Sequence, residues 1–340
     1  MNYIVFDLEW NQNPKGREGA EEGLLFEIIE IGAVKLDEEL CQVDEFRQLI
    51  SPEVYSQLHY KISEVTHLDM GLLRRQGIPF LEAARRFLSW CGEDYRFVTW
   101  GPMDLTELQR NMVYFGMALP FPMPFLYYDL QKLYGLLYTE GGKDKLSLDQ
   151  AVEARQIPIE AERPFHHALD DAYYTGRVMA SMEFSRVKAF LSMDYYRIPQ
   201  TPGEEVTLEF PGYTKFVSRE FAAKEDAMAD KRVTDVICPK CRRMLRKKIR
   251  WFPMNPRLYV CLTVCPEHGL VRGKIRMKKA EDGGVFAVRT TKFIDEEGAA
   301  LIAEKRDEVR ARRTEKNKQK RQAKKQSRRG KKDTPAGPRA

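Results

Sequence analysis

YIVFDLEW (3–10) is followed, after a polar stretch, by FEIIEIGAVKL (26–36) and CQVDEFRQLI (41–50). The first two segments are rich in Val, Ile and Phe. All three are predicted strands, with LDEEL (36–40) as the turn-like link into the third. Asp7 and Glu9 stand two residues apart in the first strand, so the pleat places both carboxylates on one face. In a buried apolar strand such a pair repels and stays desolvated unless something positive neutralises it. A divalent metal does this best.

Working outward, Phe80, Ala84, Phe87, Leu88 and Cys91 recur at three to four residues and predict one face of a helix. RFVTW (96–100) reads as a further strand and LTELQRNMVYFGM (105–117) as a helix. YYDLQKLYGLLY (127–138), LSLDQAVEARQ (146–156) and ALDDAYYTGRVMASMEFSRVKAFL (168–191) predict a helical half that closes a first domain near residue 195. Strands first, then strand and helix in alternation, indicate an α/β architecture with a mixed sheet flanked by helices. Asp104, in WGPMD, falls where the chain leaves a strand edge for a helix. Asp171 lies in HHALDDA, five residues after His166. Taken singly, Asp104 reads as a helix N-cap, and Asp170 or Asp171 as a first-turn cap favoured by the helix dipole.

Taken together these residues resemble the three motifs of the DEDDh family, 3′-to-5′ exonucleases with a ribonuclease H-like fold. The motifs stand here as FDLEW (Asp7, Glu9), WGPMDLTEL (Asp104) and HHALDDA (His166, Asp171). EIIEIGAVKL (27–36) is similar to the family's second strand, and EVTHLD (64–69), with Thr66, to its segment that touches the terminal nucleotide. The resemblance covers about residues 1–190 and is closest to the Eri-1-like and KapD-like subgroup, whose members often trim RNA. Trp10 departs from the small residue that many relatives carry there. The resemblance implies phosphodiester hydrolysis at nucleic-acid 3′ ends, most of all RNA, with DNA as the alternative. It further implies two Mg²⁺ or Mn²⁺ ions held by Asp7, Glu9, Asp104 and Asp171, and His166 as general base. His167 adjoins His166, so that assignment rests on spacing. A reading from another class is a nucleic-acid-binding adaptor with an idle exonuclease fold.

ICPKC (237–241) and VCPEHG (264–269) repeat one device, an apolar strand end, Cys-Pro, one residue and a second ligand type. Cys238, Cys241, Cys265 and His268 therefore form a four-ligand set of the zinc-ribbon kind for one structural Zn²⁺. Cys261, on RLYVCLTV (257–264), is the alternative to His268 as fourth ligand. Cys41 and Cys91 are isolated and read as small core residues. Between the knuckles, RRMLRKKIRWFPMNPRLYV (242–260) interleaves cations with aromatics. Arg243, Lys247, Lys248, Arg250 and Trp251, together with Trp10 and Thr66, are the candidate nucleic-acid contacts.

The net charge of +6 over 340 residues hides a segregation. Residues 1–230 hold 23 Lys and Arg against 38 Asp and Glu; residues 231–280 hold 15 against 2, and 305–340 hold 16 against 4. An acidic front with two basic blocks behind it suits metal chemistry at one end and a grip on a polyanion at the other. The expected organisation is an exonuclease domain (1–195), a Pro- and Gly-bearing linker (196–230), a basic zinc-ribbon-like module (231–297) and a basic tail (298–340). The tail is helix-competent and is expected to be disordered when unbound; a ribosomal or RNA-processing partner is one reading of its charge. No apolar run approaches the roughly 20 residues of a membrane helix. No small-molecule cofactor motif is recognised. MNYIVFDLEW has neither a basic n-region nor a small-residue cleavage site, which leads to the expectation of a cytoplasmic protein.

Overall fold

Apolar residues on both faces place YIVFDLEW and EIIEIGAVKL in the middle of a sheet covered on two sides. The computed structural model describes residues 1–140, 144–281 and 283–330, with 321–330 by backbone alone. The chain divides into two units, Met1–Arg197 and Ile198–Ala340.

In the first unit β1 (Asn2–Asn11), β2 (Glu27–Leu36) and β3 (Gln42–Leu49) form an antiparallel meander. Three helices follow, α1 (Tyr60–Thr66), α2 (Met70–Gln76) and α3 (Phe80–Cys91). Then β4 (Tyr95–Thr99) pairs parallel with β1, and α4 (Met103–Tyr114) leads to β5 (Leu126–Asp129), parallel with β4. The helices α5 (Leu130–Tyr138), α6 (Leu148–Ala154) and α7 (Ala168–Ser181) precede a short antiparallel edge, β6 (Ser192–Met193). The order β3-β2-β1-β4-β5-β6 is a six-stranded mixed sheet flanked by helices, as expected. Two boundaries differ from expectation. Residues 126–129 are a strand because Tyr127 and Tyr128 are both buried in it, and Asp129 then caps α5 by accepting from Lys132 N at 3.0 Å. The helix predicted over 168–191 ends at Ser181.

The side-chain period of two decides the site. Ile4, Phe6 and Leu8 of β1 pack with Phe87 of α3 and Leu108 of α4, whereas Tyr3 and Val5 pack on the opposite face with Tyr174 and Val178 of α7. Asp7 and Glu9 continue the Tyr3–Val5 row, and so emerge on the α7 face.

The second unit contradicts the expected linker. VTLEF and YTKFV form a hairpin, β7 (Val206–Phe210) and β8 (Tyr213–Val217), about a Pro211-Gly212 turn with Gly212 at φ +81°. Pro in the first central position and a positive-φ Gly in the second are what such a turn demands. After α8 (Lys224–Ala229) and α9 (Lys231–Thr234) come β9 (Lys247–Asn255), β10 (Leu258–Cys265), β11 (Gly269–Lys279) and β12 (Val285–Phe293). They complete a six-stranded antiparallel sheet in the order β7-β8-β12-β11-β10-β9, larger than a ribbon. The basic tail begins as one helix, α10 (Glu296–Gly330), whose first turns pack Ala299, Ile302, Ala303 and Val309 on Ile249, Phe252, Val260 and Leu262. Residues 331–340 of the expected tail lie outside the described residues. Among the described residues no helix is long and apolar enough to cross a membrane.

Candidate active site

Register builds the site from β1 and β2. Asp7 stands opposite Gly32 and Glu9 opposite Glu30, with a bulge between Glu9 and Trp10 that ends the regular pairing. A Cβ on Gly32 would lie 1.9 Å from Leu169 N and 2.0 Å from Ala168 C. Gly32 is therefore the place where the first turn of α7 rests directly on the sheet, and this brings Asp171 beside Asp7 and Glu9. Carboxylate oxygens of Asp7, Glu9 and Asp171 all lie within 4.8 Å of one another. Asp104, at the start of α4 and 5% exposed, is outside that trio but exerts the largest electrostatic effect on Asp7.

Burial, then mutual repulsion, governs these groups. Burial pushes Asp7 well above the usual carboxylate range, and Asp104, Asp171, Glu9 and Glu30 push it further. Glu9 is raised to about 9 by burial and by Asp171, Glu30 and Asp104. Burial raises Asp104 to about 7 although backbone N–H groups, including that of Leu8, donate to it. Asp171 reaches about 6 by burial, held back by the backbone N–H and the ring of His166. Every charge raising Asp7 and Glu9 is another carboxylate. Hard oxygen donors so close and so short of positive charge fit divalent cations of the Mg²⁺ or Mn²⁺ class.

The two neighbouring histidines part company. His166, at φ +72°, has an exposed side chain, and its N–H reaches Asp171 Oδ1 at 3.3 Å. His167 is half-buried, with Nδ1 4.0 Å from Glu30 Oε2. Glu30, with its side chain fully buried, was not anticipated. It accepts from Arg47 Nε at 2.6 Å, and its other oxygen lies 3.5 Å from Ala168 N at the start of α7. His167, the N-cap of that helix, supplies no side-chain cap, and Glu30 accepts from the first free N–H, that of Ala168, in its place. A charged residue inside an otherwise apolar strand was the available signal. Glu27 has a comparable role, accepting from the backbone N–H of Glu53, Val54 and Tyr55 at 2.6–2.8 Å and fixing that loop.

Of the predicted nucleotide contacts, Thr66 points inward and Trp251 is half-buried. Thr66 is 1% exposed, its hydroxyl donating to Ile62 O at 2.8 Å and accepting from Leu68 N at 3.2 Å. Trp251 packs with the cores on one side of the second sheet and donates from its indole to Thr234 O at 2.8 Å. Its ring lies against Gly273, where a Cβ would sit 2.7 Å away, and, half-buried, it also lines a cleft with Arg246, Lys247 and Arg250. Trp10 is half-buried against Phe26, with ring centroids 5.5 Å apart. Arg243 pairs with Glu267 at 2.7 Å and Lys247 with Asp235 at 3.8 Å, leaving Lys248 and Arg250 exposed.

Cys238, Cys241, Cys265 and His268 converge. The first knuckle folds back through Cys238 N to Arg243 O at 2.9 Å, with Arg242 at φ +61°; the second is the turn between β10 and β11. Cys241 Sγ to Cys265 Sγ is 3.6 Å, and His268 Nδ1 lies 3.7 Å from Cys238 Sγ and 3.5 Å from Cys265 Sγ. A Zn–S bond of about 2.3 Å implies tetrahedral edges of about 3.8 Å, close to these separations. Burial pushes the Cys265 thiol up, but the N–H groups of Glu267 and His268 and the His268 ring outweigh it and leave it at about 6. Cys261 lies outside the cluster, pushed up to about 12 by burial. The donor set fits Zn²⁺ with His268 in fourth place.

No curated protein sequence matches the chain. Among solved structures it is similar to the nuclease domain of 3′hExo, described as a DEDDh family member bound to rAMP (21% identity over 57% of this chain and 96% of that one, TM-score 0.46). It is also similar to a 3′-exonuclease described in 3′-end specific recognition of a histone mRNA stem-loop (22%, 54% and 82%, TM-score 0.45). A third similar structure is E. coli exonuclease I in complex with a 5cy-dT13 oligonucleotide (15%, 77% and 54%, TM-score 0.45). The exonuclease family model (RNase_T) matches residues 4–179, just over half of the chain and all five motif positions, and the chain belongs to that exonuclease family.

Proposed function

We propose that the chain is a 3′-to-5′ exonuclease that hydrolyses phosphodiester bonds from RNA 3′ ends. The observation that carries this reading is the trio Asp7, Glu9 and Asp171, with oxygens within 4.8 Å, beside buried Asp104 and exposed His166. Divalent ions of the Mg²⁺ or Mn²⁺ class, held by the four carboxylates, would supply Lewis-acid stabilisation of the phosphate and a more acidic attacking water. His166 takes the proton of that water on its ring, and the bond from its own N–H to Asp171 ties ring and carboxylate to one turn of chain. Glu30, anchored by Arg47, keeps the N-terminus of α7 on the sheet, and with it Asp171. The choice of RNA rests on the resemblance of the motifs to the Eri-1-like and KapD-like subgroup. A structural Zn²⁺ held by Cys238, Cys241, Cys265 and His268, and a cytoplasmic location, complete the proposal.

The test is degradation of 5′-labelled single-stranded RNA and the matching DNA with Mg²⁺, Mn²⁺ or EDTA, comparing wild type with Asp7→Ala and His166→Ala. A ladder shortening from the 3′ end, faster on RNA and lost with EDTA and both substitutions, is expected. A faster DNA ladder would move the substrate to DNA. Binding without turnover on either polymer would make the chain an adaptor.

A further inference from the structure

The two faces of the second sheet differ in character. Register places Leu262 beside Arg272, Val260 beside Lys274, Leu258 beside Arg276, and Arg272 beside Lys292, all on one face. On that face α10 packs on β9 and β10 and reaches Leu270 at the start of β11, and the cations Arg272, Lys274 and Arg276 follow along that strand. Arg276 and Lys292 are exposed, Arg272 and Lys274 half-buried. The row ends at a cleft of about 530 Å³ lined by Arg257, Arg276, Lys278 and Lys279 with Asn255 and Leu258.

Some other cations of this unit have found carboxylates, Arg219 with Glu205 and Asp230, Arg243 with Glu267 and Lys247 with Asp235, while Lys248 and Arg250 stand exposed on β9. Among the described residues, no ion pair within 4.0 Å involves Arg257, Arg272, Lys274, Arg276, Lys279 or Lys292. Arg272 Nε is enclosed without a hydrogen-bond partner, and burial together with Arg276 and Arg272 holds Lys274 below its ordinary value. Like charges fixed in a row on a strand are costly alone and are relieved by a polyanion. At about 3.4 Å per residue, alternate residues stand about 6.8 Å apart, a spacing commensurate with successive phosphates of an extended single strand.

We infer that the face formed by Arg272, Lys274, Arg276 and Lys292 is a track for the phosphate backbone of single-stranded nucleic acid, entered at the cleft beside Arg257 and Lys279. The choice of polyanion rests on the nuclease reading above. The track displaces the knuckle cations Arg243 and Lys247, already ion-paired, as the main holding surface.

The experiment measures binding of fluorescein-labelled 20-nucleotide oligo(U) and oligo(dT) to full-length protein carrying Asp7→Asn to prevent turnover, across a salt series. The combined Lys274→Gln, Arg276→Gln and Lys292→Gln variant is expected to bind both polymers at least about tenfold more weakly, with a log K against log salt slope shallower by about two. The charge-preserving pair Arg276→Lys and Lys292→Arg should bind as the parent does, and so should the variant of the ion-paired knuckle cations, Arg243→Gln with Lys247→Gln. Unchanged affinity and slope in the triple variant would overturn the track. So would an equal loss in the knuckle variant, or a loss in the charge-preserving pair. A wild type that makes no ladder yet shows binding sensitive to the triple variant would sink the nuclease reading and leave the track standing.

Discussion

Asp7, Glu9, Asp104 and Asp171 are held where ionisation is costly, and that cost has a sign. Burial and mutual repulsion raise Glu9 to about 9, Asp104 to about 7 and Asp171 to about 6. Over a window from about pH 4 to 9 the folded metal-free protein therefore keeps protons that the unfolded chain has released, and its stability falls as pH rises. Melting curves in EDTA should show Tm dropping across this window, and Mg²⁺ should restore most of the loss at pH 8. Glu9→Gln should raise the metal-free Tm at pH 8; a Tm independent of pH would refute the account. His166 acts differently, since it is exposed beside Asp171. Its replacement by Ala should lower kcat by about 10²–10⁴ with little change in KM or Tm. Asp7 and Glu9 were legible because a period of two is a local fact, whereas Asp104 and Asp171, singly readable as helix caps, were picked out only by the resemblance of the motifs. The orientation of Thr66 was not legible, because polarity in a sequence does not say which way a side chain points. Glu30 escaped because its partner Arg47 meets it only across paired strands.

At the scale of elements, the site depends on how closely α7 lies on β2. Gly32 admits the backbone of Ala168 and Leu169, and further along Gly176 of α7 meets Val34, where a Cβ would be 3.1 Å from Cγ2. The two are not equivalent. At Gly32 the obstacle is backbone, which cannot turn aside, so Gly32→Ala must push the helix off the sheet and carry Asp171 with it. Overpacking of this kind costs about 1–3 kcal/mol or more, and activity should fall far more steeply than Tm because the carboxylate spacing is lost. Gly176→Ala, against a side chain, should keep most activity; equal effects at both positions in paired melting and turnover assays would contradict the argument. Most elements could be read from pattern, as β1 to β3 and α3 show. The hairpin at 206–217 was hidden by its Pro and Gly, which read as a linker although two alternating runs around Pro211-Gly212 spell a turn. The short β5 merged with α5 because Tyr127 and Tyr128 fit either period.

At the scale of the whole molecule, the charge segregation falls on two units with separate cores, the first acidic around a carboxylate site and the second basic. The second unit has apolar clusters on both faces of its sheet, so a metal is not its only source of stability. The cysteine cluster ties the loop before β9 to the β10–β11 turn, two places that otherwise meet through only a few residues such as Val236, Leu245 and Val271. Removing the metal should therefore loosen one edge of this unit rather than unfold the chain. Metal analysis should find one zinc per chain in wild type and in Cys261→Ser, and none in Cys238→Ser. Scanning calorimetry of Cys238→Ser should show a lowered transition for the second unit beside an unchanged one for the first, because each has apolar clusters of its own. Turnover at saturating substrate should survive, since Asp7, Glu9, Asp104 and Asp171 all belong to the first unit, while affinity for long strands should weaken as β11 loses its anchored end. Zinc loss that abolished turnover outright would mean that the cysteine cluster supports the chemistry itself, and the division of labour between an acidic cutting unit and a basic holding unit would have to be abandoned.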